Sequence, residues 1–125
     1  MNRPIKFRAK GKSDGQWHYG SLLQMGDGYS IAANKNGTFE MCDVAPETIG
    51  QFTSLYDKNR KEIYEGDILD FNGLNIEVRF VRGVFALLCN GDLDQELCGD
   101  CRTDLFAKIV GNIHDNPELL KGGEK

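Results

Sequence analysis

Polar and apolar residues alternate in short runs along most of this chain, the period-two signature of strands with one covered face. Ile5, Phe7 and Ala9 alternate with Lys6, Arg8 and Lys10. After the turn Gly11-Lys-Ser-Asp-Gly15, Trp17, Tyr19, Ser21 and Leu23 alternate with His18, Gly20 and Leu22, so the two runs read as a hairpin that Gly26-Asp-Gly28 ends. Tyr29 to Ala33 and Thr38 to Cys42 flank Asn34-Lys-Asn-Gly37, whose Asn-Gly pair supplies the positive φ values of a tight hairpin. Pro46 breaks the pattern, and Glu47 to Gln51 fits a single helical turn. Phe52 to Tyr56 follows as a short strand.

The polar run from Tyr56 leads through Glu65-Gly66-Asp67 into another alternating strand ending at Phe71, an arrangement that marks the start of a small sheet. Ile68 to Phe71, the turn Asn72-Gly73 and Asn75 to Val81 form the clearest hairpin, with Ile76, Val78 and Phe80 expected inside and Glu77 and Arg79 outside. Val84 to Cys89 is apolar on both faces, which suits a central strand, and Lys108 to Ile113 closes the sheet. Asn116-Pro-Glu118 combines an N-cap residue, a proline at the first helical position and an acid in the first turn, so a short helix is expected over Pro117 to Leu120. The pattern therefore predicts a mainly β protein: a small antiparallel partial barrel or sandwich, SH3-like or OB-like in its second half, with a short C-terminal helix.

Composition narrows this only slightly. At 125 residues the chain suits one domain, 1–125, with two compact parts, 1–50 and 51–120, as the natural subdivision. Fifteen glycines against three prolines favour tight turns over helix interruptions. The longest apolar stretch, Val84 to Cys89, is far below the roughly 18 residues of a membrane helix. No secretory pattern follows Met1, so the expected location is the cytoplasm of a bacterial host, with four reduced cysteines. The net charge of −4 is unevenly placed. Asp92, Asp94, Glu96, Asp100 and Asp104 oppose only Arg102, so one segment holds the whole excess, whereas Arg3, Lys6, Arg8, Lys10 and Lys12 precede the first acid, Asp14.

Several phrases resemble one family in order along nearly the whole chain. Ile5-Lys-Phe-Arg-Ala9, Trp17-His-Tyr-Gly-Ser21, Pro46-Glu-Thr-Ile-Gly-Gln-Phe-Thr53, Asp57 to Ile68 and Val110 to Leu120 are similar to the YopX-like proteins of bacteriophages and prophages. The resemblance implies a mainly β fold and a phage origin, and it lends no catalytic residues. The chain departs from the pattern at Ser54 and Arg60, where glycine is more usual, which bears on the turn geometry there. The acidic segment Asp92 to Asp104 has no counterpart in the resemblance.

Candidate chemistry is sparse. Lys6, Arg8, Lys10 and Lys12 would line one face about 6.7 Å apart per pair of residues, able to meet phosphates, with Trp17 and Tyr19 nearby to stack bases. A solvated face that guards a sheet edge explains the same row, and net acidity opposes sequence-independent nucleic-acid binding. Glu65 and Asp67 would suit a metal-dependent hydrolase, but a left-handed Gly66 with Asp67 bonded to backbone accounts for the glycine as well. Cys98 and Cys101 supply two of the four ligands that zinc takes, and Cys42, Cys89 and His114 complete a set only if the fold gathers them. No metal or other cofactor is expected. His18 and His114 have no partner fixed by local spacing. The expectation is a non-enzymatic accessory protein that binds a host or phage protein and forms a homo-oligomer through its polarised charge. Nucleic-acid binding is the alternative and metal-dependent hydrolysis the weaker one.

Overall fold

A computed structural model describes residues 4–81, 83–89, 92–96 and 102–121. The chain divides into two compact units, Met1–Phe52 and Thr53–Lys125.

In the first unit the alternating runs form β1 (Phe7–Lys10), β2 (Trp17–Met25), β3 (Gly28–Lys35), β4 (Thr38–Val44) and the start of β5 (Gly50–Tyr56), in the order β4-β3-β2-β1-β5. All pairings are antiparallel, and the two-residue connections of β2–β3 and β3–β4 allow nothing else there. Asn36 at φ 53° and Gly37 at φ 83° make the β3–β4 turn that the Asn-Gly pair predicts. The sheet is open, yet one corner is tied. Gly11 bridges to Val44, the Lys12 N–H donates to the Asp43 carbonyl at 2.9 Å, and the Ala45 N–H donates to the Lys10 carbonyl at 2.9 Å. The curl this produces encloses Ala9, Ile31 and Val44, with Phe7, Leu22, Tyr29 and Ile49 packed around them. A 3-10 turn at Pro46–Thr48 replaces the helical turn expected just after it. Thr48 locks that turn to β1, its hydroxyl accepting the Lys10 N–H and donating to the Ala45 carbonyl.

In the second unit β5 continues to Tyr56 beside β6 (Glu62–Tyr64). A five-stranded antiparallel sheet follows, from β7 (Asp67–Phe71), β8 (Leu74–Val81), β9 (Val84–Cys89), β10 (Asp92–Glu96) and β11 (Ala107–Asn112), ordered β10-β9-β8-β7-β11. Its two ends do not meet, so closure into a barrel does not occur among the described residues. The short helices are α1 (Thr103–Phe106) and, near the C-terminus as expected, α2 (Glu118–Lys121). Ile63, Leu69, Ile76, Val78, Leu87 and Ala107 make the core. Burying a Leu, Ile or Val side chain is worth about 1.5–3 kcal/mol, so the five such residues of this core help hold the sheet against its entropy loss.

Two details correct the expected inside and outside of β8. Phe80 is 49% exposed, its ring meeting Phe85 edge to face at 5.1 Å. Glu77, expected outside, is buried, because Arg79 folds over it and donates to both carboxylate oxygens, Nε to Oε2 at 2.8 Å and Nη2 to Oε1 at 3.0 Å. A bidentate ion pair makes that burial tolerable. No helix among the described residues is long and apolar enough to cross a membrane.

Candidate functional site

The cationic row of β1 takes its geometry from strand register. Lys10 lies opposite Trp17 and Arg8 opposite Tyr19, so all four share one face. The Trp17 ring receives both cations: Arg8 Cζ lies 4.6 Å and Lys10 Nζ 5.5 Å from its centroid. Arg8 lies opposite Gly50 on β5, and Lys6 Nζ sits 5.3 Å from the Phe52 ring. Arg8 is buried, Lys6, Lys10 and Trp17 are half-buried, and only Lys12, beyond the strand, is exposed. The row therefore exists on one face as far as Lys10. Its cations lie against aromatic rings, an attraction of roughly 0.5–2 kcal/mol each, and Trp17 already stacks with protein.

The opposite, concave face gathers polar residues that the sequence kept apart. The turn from Gly11 to Gln16 is closed by the Gly11 N–H to the Gln16 carbonyl and the Gly15 N–H to the Gly11 carbonyl. Within it the Asp14 carboxylate accepts the Gln16 N–H on Oδ1 at 3.0 Å and meets His18 Nε2 through Oδ2 at 2.9 Å. Those bonds, the Gln16 N–H first, hold the Asp14 carboxyl below the usual aspartate range. Cys42 on β4 completes the group: one ligand atom each from Asp14, His18 and Cys42 fall within 4.8 Å of one another. The tied corner at Gly11 and Val44 is what carries β4 to this turn. A cavity of about 50 Å³ continues from the group along the face, lined by His18, Ile31, Ala33, Lys35, Glu40 and Cys42 among others. Lys35 and Glu40 pair across its far end at 3.9 Å.

In the second unit the acidic turns are backbone anchors. Asp57 is buried and accepts the N–H groups of Asn59 and Lys61 on Oδ1 and of Ile109 on Oδ2, fixing the turn before β6 to β11. Asp67 is buried and accepts the Tyr64 N–H at 2.7 Å, while Gly66 adopts φ 96°. Glu65 and Asp67 belong to no three-ligand group among the described residues. His114 lies in the turn after β11, its backbone N–H donating to Asn112 Oδ1, and belongs to no three-ligand group among the described residues. Cys98 and Cys101 lie outside the described residues, as does Asp100 of the acidic segment. Sequence reading placed Asp14 in a turn and His18 on a strand. It had no signal that Cys42 would join them, because the joining is done by backbone bonds between Lys10–Lys12 and Asp43–Ala45.

The family described as YopX protein matches residues 6–121. Protein EF1440 from Enterococcus faecalis, known from a crystal structure, is similar over 94% of this chain and 98% of its own, at 27% identity and a TM-score of 0.62. No curated protein matches the chain.

Proposed function

The chain belongs to the YopX family, and from that premise and the shape of its first sheet we propose that it is a phage or prophage accessory protein that works by binding another protein, not by catalysis. The observation that carries the reading is the outer side of β4 from Thr38 to Met41, which no strand covers among the described residues. This strand ends the sheet order, and five of its seven residues lie exposed, with Phe39 at 67% and Met41 at 47%. Because Lys12 donates to the Asp43 carbonyl, Asp43 points its backbone away from β3, and antiparallel alternation then turns the backbone of Met41 and Phe39 the same way. An exposed edge with apolar side chains and no proline is a template for an added strand, with backbone bonds giving affinity and side-chain contacts giving selectivity. The net charge of −4 and the packing of Arg8 and Lys10 onto Trp17 support a protein partner over a nucleic acid.

The test is photocrosslinking from position 39 in cells carrying the phage, with and without Met41→Pro. Proline removes the outward N–H of Met41 and leaves the bonds to β3 intact. A protein adduct that disappears in the proline variant is the expected result. Absence of any adduct, or one indifferent to a folded proline variant, overturns the reading.

A further inference from the structure

The group formed by Asp14, His18 and Cys42 has a feature that packing alone does not explain. A Cβ placed on Gly11 would lie 2.3 Å from Asp14 Oδ1, 3.0 Å from Cys42 Sγ and 3.0 Å from His18 Nε2. All three functional atoms thus converge on one point over a residue with no side chain. Gly11 is not held at a positive φ, so its backbone conformation does not demand glycine; the space does. The donor set is one carboxylate, one imidazole and one thiol, the mixture that suits a borderline-soft divalent ion. With Zn–S near 2.3 Å and Zn–N and Zn–O near 2.0–2.2 Å, a tetrahedral ion spaces its ligand atoms roughly 3.4–3.6 Å apart, so donors that lie within 4.8 Å of one another need draw in only by about an ångström. The Gln16 N–H already orients the carboxylate, as an outer-shell donor does in metal sites.

We infer that Asp14, His18 and Cys42 bind a zinc-class divalent ion, with its fourth position open to the cavity that runs toward Glu40 and Lys35. Binding exchanges protons for metal. The Cys42 S–H bond breaks, its proton passes to buffer, and a thiolate–metal bond forms. The hydrogen bond between His18 Nε2 and Asp14 Oδ2 gives way as both atoms turn to the ion. The ion thus competes with the proton on Cys42. Affinity should therefore rise with pH. The ion would clasp the β1–β2 turn to β4 at the tied corner.

Cobalt and zinc titrations of the reduced full chain decide the matter. One equivalent of Co²⁺ is expected to give thiolate-to-metal charge-transfer absorption together with d–d bands, and Zn²⁺ to displace it. Cys42→Ser should abolish the charge-transfer absorption. His18→Asn should weaken binding about tenfold or more, and Gly11→Ala should do the same by spreading the three donors. A Cys98→Ser/Cys101→Ser double variant should behave as the parent. No stoichiometric binding, or absorption that survives in Cys42→Ser or in His18→Asn and vanishes in the double variant, overturns the inference. Using both Cys42→Ser and His18→Asn keeps it testable should one of them fail to fold.

Discussion

Arg60 and Ser54 hold φ values of 66° and 73°, a region that costs an L-residue about 1–2 kcal/mol. The expectation of glycine at both positions, read from the YopX-like resemblance, accords with these φ values. Neighbouring bonds hold the backbone there. Around Arg60, the Asp57 carboxylate binds the turn on both sides, through the N–H groups of Asn59 and Lys61. Beside Ser54, the Thr53 hydroxyl accepts the Leu55 N–H and donates to the Ile63 carbonyl, spanning the kink. Arg60→Gly should relieve the strain but return some of it as chain entropy in the unfolded state, for a net gain of about 0.5–1 kcal/mol. Urea denaturation checks this; a loss of stability would mean that the Arg60 side chain contributes more than its backbone strain takes away.

At the scale of strands and turns, alternation and turn chemistry were largely legible. The Asn36-Gly37 and Asn72-Gly73 hairpins form where their φ preferences place them, and β9 matches its expected span of Val84 to Cys89. What escaped was short or depended on partners. β6 has three residues, too few to show a period, and the burial of Glu77 depends on Arg79 folding back over it. Alternation also gave no hint that Gly20 is fixed by its neighbour. A Cβ there would lie 2.2 Å from the Ala32 carbonyl oxygen, a backbone atom that cannot step aside. Gly20→Ala should therefore force β2 and β3 apart and destabilise the fold by about 1–3 kcal/mol, measured by thermal unfolding. An unchanged melting temperature would show that the β2–β3 pairing is more pliant than its geometry suggests.

For the whole molecule, the sequence made plain that the protein is mainly β, with few helices and a short one near the end. The open sheets and the convergence of Asp14, His18 and Cys42 were not readable, because both depend on which strand ends meet. The tie between Lys10–Lys12 and Asp43–Ala45, segments far apart in sequence, covers only the Val44 end of β4, and among the described residues no strand covers its other half. The functional reading rests on that uncovered half. Amide hydrogen exchange, followed residue by residue on dilute monomeric protein, tests it most directly. Glu40 and Cys42, whose N–H groups face β3, should exchange slowly, and Phe39 and Met41, whose N–H groups face outward, should exchange fast. Equal and strong protection at all four positions would contradict an open edge and with it the proposed mode of binding.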